Sequence, residues 1–337
     1  MCKGSKSGML IGFLMEAITK TGAAYKQVFF ILLFMSLLLI AGCGEVAAGA
    51  SQRTVIRIAY LPITHSAAVM ALPEVALHDE NFQIELVRFT AWPEVVEALR
   101  TGHVDGASLL FEAAVTAYQM GSPLTALSLS HRDGNVIVVD NAIGNLHDLI
   151  GKTVAIPHAL SPHKTLLHMV LEQEGININD INLVEISPAE MPFLMAAQAI
   201  SAYVVAEPWG TLAEVRGAGR ILIASDEIIP GAVCCLLVFS TGVLDEHEGL
   251  LCWLLEKFEQ AAAFAESGDE KVFEAFWQNS SFDREVIALS LMNTSFENLA
   301  LTSDDFDLTT SNVSRFGILD DFPNFRDFAV DRGCCRD

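Results

Sequence analysis

The sequence predicts an α/β protein built as two lobes with a ligand cleft between them. Short apolar runs rich in β-branched residues alternate with longer segments of helical period, the pattern of a mostly parallel, doubly wound sheet. This alternation passes through a connection, "NAIGNLHDLIGK", and then begins again, so two series are present rather than one. In the second series the strand "SAYVVA" stops at Glu207 and Pro208. Proline cannot continue a ladder, and the acid therefore sits just past a strand's carboxyl end, the edge of such a sheet where ligands bind.

The elements follow in order. "TVIRIAYL" reads as a strand, "SAAVMALPEVALHDE" as a helix interrupted near Pro73, and "FQIELVRF" as an alternating strand. Helix "WPEVVEALRTG", strand "VDGASLL" and helix "FEAAVTAYQMG" come next, then strands "LTALSLS" and "NVIVVD". The second series runs through strand "TVAIP", helix "PHKTLLHMVLEQEG", strand "INLVEI", helix "AEMPFLMAAQ", strand "SAYVVA", helix "PWGTLAEVRG" and strand "RILIAS". "CCLLVFS" adds an apolar strand, and from Gly242 the pattern is helical, through "LLCWLLEKFEQAAAFAES", "EKVFEAFWQ" and "REVIALSLMN". Helices without strands make no α/β domain of their own, so this tail is expected to pack on the first lobe. The expected bounds are residues 54–140 plus 232–337 for lobe 1 and 141–231 for lobe 2, with two crossings between them.

The N-terminal segment has a different character. "VFFILLFMSLLLIA", residues 28–41, is an uncharged apolar run of 14 residues flanked by Lys20 and Lys26. A spanning helix needs about 20 residues, whereas a signal-peptide apolar region needs about 7 to 15. Ala41 and Gly42 then precede Cys43, and small residues before a cysteine at the end of such a run resemble the lipobox of bacterial lipoproteins. Residues 1–42 are therefore read as a signal peptide, Cys43 as the lipidated mature N-terminus, and 43–53 as a small, polar tether. The mean hydropathy of +0.40 reflects this segment, and no comparable run occurs later.

Removing residues 1–42 takes away four basic side chains and one acidic one, so the net charge moves from −22 to −25. Such a field repels nucleic acid and anionic lipid headgroups, and an anionic ligand would need strong local donors. The seven cysteines suggest neither a disulfide framework nor a zinc site by spacing, and no cofactor or metal is expected. In "AVCCLLVF", Cys234 and Cys235 read as buried small hydrophobes, with a vicinal disulfide or a soft-metal contact as alternatives.

Candidate ligand residues lie past the strand ends. Thr64 and His65 follow the first strand and Trp92 the second, while Phe111 and Glu112 follow the third. In the second lobe "IPHALSPHKTLL" opens a helix with Ser161 near the N-cap and His163 in the first turn, where free N–H groups suit an anionic group. Glu207 and Trp209 complete the set: an acid at the end of an apolar strand must be solvated or paired. Each has a plainer role open to it, Thr64 and Ser161 as helix caps, His163 as an exposed histidine and Trp92 as core. GxGxxG, GxSxG, GxxxxGK[ST] and HExxH motifs are absent from any credible context, so no enzyme is expected.

The segments "IRIAYLPITHSA", "VEALRTGHVDGASLL", "LIGKTVAIPHALSPHKTLLHMVLEQEGI", "VEISPAEMPFLMAAQAISAYVVAEPWG" and "FGILDDFPNFRDF" span nearly the whole mature chain in order. This pattern resembles the lipid-anchored or periplasmic solute-binding proteins of ABC importers in the nitrate, sulfonate, bicarbonate and thiamine-precursor group. The resemblance implies a type II periplasmic-binding fold, a monomer closing on a small solute, and permease and ATPase subunits as partners. It places His163 and Glu207 where nitrate and bicarbonate receptors carry cleft residues, with Trp209 in the same motif and His65 in a variable first loop. Those receptors carry a lysine about where "VCCLL" lies, a departure that disfavours nitrate. A ligand-presenting sensor, or an enzyme on the same fold in thiamine-precursor or menaquinone pathways, is the alternative reading.

Overall fold

The computed structural model describes residues 53–330 and 332–335. The predicted signal peptide, Cys43 and all of the tether but Arg53 lie outside the described residues. None of the helices among the described residues is long and apolar enough to cross a membrane.

Two five-stranded sheets form the two lobes. The first has the order β2-β1-β3-β11-β4, from β1 (Thr54–Tyr60), β2 (Phe82–Arg88), β3 (Gly106–Leu110), β4 (Leu124–Leu129) and β11 (Cys235–Ser240). The second has the order β10-β6-β9-β7-β8, from β6 (Asn135–Val139), β7 (Thr153–Ile156), β8 (Asn182–Glu185), β9 (Ala202–Ala206) and β10 (Arg220–Ala224). A third, two-stranded sheet pairs β5 (Arg132–Asp133) with β12 (Thr294–Ser295).

β1 runs parallel to β2 and β3, and β7 runs parallel to β8 and β9, as the alternation of strands and helices predicts. The exceptions are β11, antiparallel to β3 and β4, and β6, antiparallel to β9 and β10. Their direction has a simple cause. Each is the strand by which the chain enters a lobe from the cleft, so it starts at the edge where the parallel strands end.

That arrangement corrects the expected lobe boundary. The expected bounds place "NVIVVD" in lobe 1, but β6 is hydrogen-bonded between β9 and β10 and belongs to lobe 2. The first crossing therefore falls at residues 130–134 rather than near 140. Its side chains agree: Val136 and Val138 pack with Tyr203 and Val205 on one face of the second sheet, Ile137 and Val139 with Val154, Ile156 and Val204 on the other. A strand buried on both faces reads as one apolar run, and such a run carries no label saying which sheet it joins.

The helical tail also departs from expectation. Leu250–Glu266 and Glu270–Asn279 pack on helix Ala67–Val75 of lobe 1, as predicted. Ser303–Arg315, however, packs on Pro162–Gln173 of lobe 2, with Arg315 on Glu172 at 2.6 Å and Phe316 stacked on His168. The tail thus touches both lobes. Pro73 does not interrupt its helix; it sits within Ala67–Val75, near the end. A Cys252–Cys335 disulfide, with Cα atoms 5.4 Å apart, joins the tail helix to the C-terminal segment, a bond that the cysteine spacing did not suggest. An 83-residue separation gives no local motif from which to read it.

Candidate functional site

The edge of each sheet that faces the other lobe carries the polar residues. β4 and β11 are neighbours of opposite direction, so the residues just after β4 and those at the start of β11 fall at one end of the sheet. This brings His131 beside Cys234 and Cys235. The loop after β1 adds His65 to the same place. Sγ of Cys234 lies 3.6 Å and Sγ of Cys235 3.8 Å from His65 Nδ1, and the two sulfurs are 3.8 Å apart and unbonded. His65 and His131 stack with ring centroids 3.5 Å apart. One ligand atom from each of these four residues fits within a 4.8 Å span.

The two crossings that flank this cluster are tied together. Arg132 and Val233 form a bridge between them, Arg132 Nη1 donates to Gly231 O at 2.7 Å, and Gly231 N donates to Asp133 Oδ1 at 3.0 Å. The Arg132 guanidinium also grips Asp305 of the tail through both ends, at 3.0 and 3.1 Å. Gly134 completes the first crossing with φ +79°, and a Cβ there would meet Thr294 Oγ1 at 2.5 Å and His65 Nε2 at 3.1 Å. Only glycine suits both the left-handed backbone and the close approach.

Across from the cluster, lobe 2 closes the space. Thr64 N and Oγ1 both donate to Glu207 O, at 2.8 and 3.1 Å. Thr165 Oγ1 donates to Glu112 Oε1 at 3.3 Å, and Ser187 Oγ donates to Thr90 O at 3.4 Å. His163, in the first turn of Pro162–Gln173, is fully buried. These contacts hold the two lobes together across the cleft.

Most of the buried side-chain polar atoms without a hydrogen-bonding partner among the described residues gather here. They include His65 Nε2, both ring nitrogens of His131 and of His163, Glu112 Oε2 and Asn135 Nδ2. A buried polar group left unpaired costs about 1–3 kcal/mol. Such a concentration at the junction of two lobes is what a ligand would relieve.

Protonation follows from burial. Desolvation lowers His131 and His163 to about 4, with the neighbouring imidazoles adding to it, so both rings are neutral at pH 7 with a lone pair free. Desolvation raises Glu112 to about 8, so it is a neutral acid there. Burial also opposes ionisation of Cys234, but the Cys235 thiol and the imidazoles of His65 and His131 outweigh it and hold Cys234 well below its ordinary value. Cys235 moves the other way, through burial and the neighbouring sulfur.

The residues singled out from the sequence divide into three groups. His65, His163 and Thr64 lie at the junction described above. Glu207 is buried there too, but protein donors hold its carboxylate: Thr211 N at 2.9 Å, Thr211 Oγ1 at 3.0 Å and Asn293 Nδ2 at 3.1 Å. Ser161 stands at the N-cap position, yet its hydroxyl donates to His158 O at 2.7 Å rather than capping the helix. Trp92 is buried in the lobe 1 core, and Trp209 lines a small cavity at the rim with Leu61, Thr90 and Phe282. His131 was missed. It follows an apolar strand in "SLSHRD", the same position past a strand end that marks His65, and applying one rule to both would have found it. Cys234 and Cys235 are buried in the lobe 1 apolar core, as expected, but their sulfurs also face imidazoles, which reopens the soft-metal alternative.

A second, mostly apolar cavity of about 330 Å³ lies beside the cluster, between Leu166 and Met169 of lobe 2, Leu308 and Val313 of the tail, and Glu112 and Arg132.

Two α/β lobes on a pair of crossings, closed over buried unpaired donors and acceptors, define the type II periplasmic-binding architecture. The chain belongs to the NMT1-like family, whose model matches residues 49–275. Among solved structures it is similar to the ligand-binding component of an ABC-type import system from Staphylococcus aureus with zinc bound, at 31% identity and a TM-score of 0.78, over 82% of this chain and 97% of that one. The alkanesulfonate-binding protein SsuA from Xanthomonas axonopodis pv. citri, bound to MOPS, shares the fold at 20% identity and a TM-score of 0.67, over 79% and 93%. Among curated proteins, the bicarbonate transport ATP-binding protein CmpC of Synechocystis is 27% identical over 199 residues, 52% of this chain and 30% of that protein. The chain thus spans about a third of the length of the first curated relatives it matches.

Proposed function

We propose that this chain is the extracytoplasmic solute-binding component of an ABC importer, anchored in the membrane through lipidated Cys43 and handing a small solute to permease and ATPase subunits. The convergence of unpaired buried polar atoms between two hinged lobes carries this reading. The relatives' import roles support it, as does the Cys252–Cys335 disulfide, which suits an oxidising compartment. Within the cleft, His65, His131 and His163 contact the solute. Glu207 and Thr64 act as the latch between lobes, since the carbonyl of one accepts both donors of the other. No catalytic role is assigned to any residue. The sulfonate of one relative and the zinc of another both belong in the panel of trial solutes.

Hinged lobes close on ligand. The radius of gyration from small-angle scattering is therefore expected to fall when the right solute of the panel is added, toward the value calculated for the closed structure. A value unmoved by every solute that binds would defeat the reading. For the anchor, Cys43→Ala is expected to release the protein from membranes or leave an uncleaved precursor, because stable retention needs acyl chains at about 0.8 kcal/mol per buried CH₂. Normal processing and membrane retention of that variant would exclude Cys43 as the anchor.

A further inference from the structure

The importer reading leaves the solute open, and the ligand chemistry of the cleft narrows it. We propose, building on that reading, that His65, His131, Cys234 and Cys235 form a four-ligand site for a thiophilic divalent metal ion of the zinc class, and that this ion is the solute the lobes close on.

The distances carry the argument. A tetrahedral zinc ion with Zn–S of about 2.3 Å and Zn–N of about 2.0–2.1 Å sets its ligand atoms about 3.8 Å apart for two sulfurs and about 3.6 Å apart for sulfur and nitrogen. The two thiols here are 3.8 Å apart, and they lie 3.6 and 3.8 Å from His65 Nδ1. His131 offers the fourth ligand within the same 4.8 Å span, and its ring, now stacked on His65 with centroids 3.5 Å apart, has to turn away from that stack to take the remaining corner of the tetrahedron. Two thiols and two imidazoles are the soft and borderline donors that select zinc, copper(I) and similar ions over calcium or magnesium. All four residues are fully buried, so hydration cannot satisfy them.

The alternative of a plain apolar packing role fails on the same facts. A buried cysteine pair in a core faces aliphatic groups. This pair lies in the lobe 1 core too, but its sulfurs face two stacked imidazoles, and both ring nitrogens of His163 and Nδ2 of Asn135 are unpartnered. The position is also right for a transported ion. His131 and Cys234 come from the crossings, and His65 and Cys235, the first residue of β11, from lobe 1, so rotation of lobe 2 about the crossings would uncover the ion without dismantling its ligands. His163 would come and go with that lobe.

The experiment uses the mature chain, purified free of metal and kept reduced with a phosphine rather than a dithiol, so that the reductant does not compete. Cobalt(II) is titrated first. One equivalent is expected to bring up a thiolate-to-cobalt charge-transfer band and the intense visible bands of a four-coordinate ion, and zinc is expected to bleach both. This reading needs no variant. Cys234→Ser and His131→Gln, with folding checked by circular dichroism, are each expected to weaken zinc binding by about 100-fold or more. Scattering is then expected to show compaction with zinc. Absence of the thiolate band, or zinc affinity unchanged in both variants, would overturn the site. Binding with no compaction would overturn the ion's role as the solute. If another solute of the panel closes the lobes while zinc does not, the metal proposal falls and the importer reading stands; if none does, the importer reading falls with it.

Discussion

Arg132→Ala is expected to lower the stability of the protein by about 3 kcal/mol, read as a shift in the urea midpoint with an unchanged slope. The guanidinium is the knot of the hinge. It donates to Gly231 O on the second crossing, to Asn298 O at 3.1 Å and to both oxygens of Asp305, and its side chain is only 15% exposed. Truncation leaves two carbonyls without that donor and a half-buried carboxylate that keeps only its bonds from Thr302. Arg132→Lys keeps the charge but loses the fork, so it should fall between the two. The Asp305→Ala partner should add much less in the double variant than alone, because both remove one interaction. A change within ±0.5 kcal/mol for Arg132→Ala would show that the hinge is held elsewhere.

The same pair has a pH signature. Burial would raise the Asp305 carboxyl, but bonds from Arg132 and Thr302 outweigh it and hold it below the ordinary value. A carboxylate depressed by folding contributes stability above its unfolded value of about 3.9, and this is lost as pH falls through the folded value. Asp305→Asn should therefore be less stable than the parent at neutral pH, with the gap closing in acid. A gap independent of pH would locate the loss in packing rather than charge.

Glu207→Leu is expected to cost about 3 kcal/mol, while Glu207→Gln costs about 1. Leucine strands Thr211 N–H and the Asn293 amide, both of which now donate to the carboxylate in a site closed to water. Glutamine keeps one acceptor and turns the other end into a donor facing donors. Burial raises the Glu207 carboxyl despite those bonds. Its stabilising contribution is thus complete below about pH 4.3 and lost as pH rises through the folded value, a loss that Glu207→Gln should not share. Urea melts from pH 4 to 8 on the three proteins read both effects, and tolerance of leucine would show that the bonds from Thr211 and Asn293 to the carboxylate contribute little.

Much of this was legible in the sequence. Alternating apolar and helical periods define the strands and helices of both lobes because periods of 2.0 and 3.6 follow from backbone geometry alone. The rule that ligands meet the carboxyl ends of parallel strands singled out His65 and, with its helix start, His163, and both stand at the cleft. Residue type plus position past a strand end was enough, since each is a local property.

Other features rest on distance in the chain. β6 is as apolar as any strand of lobe 1, and only its hydrogen bonds to β9 and β10 assign it to lobe 2. Cys252 finds Cys335 across 83 residues, and Arg132 finds Asp305 across 173. The cluster of His65, His131, Cys234 and Cys235 has no spacing motif, for its members are joined by the antiparallel pairing of β11 with β4 and not by a turn. Residues 65 and 234 become neighbours only once the sheet has formed. Periodicity in the sequence determined which segments are strands and which are helices, while strand pairing, and the direction in which two strands enter their sheets, decided where the buried polar groups meet.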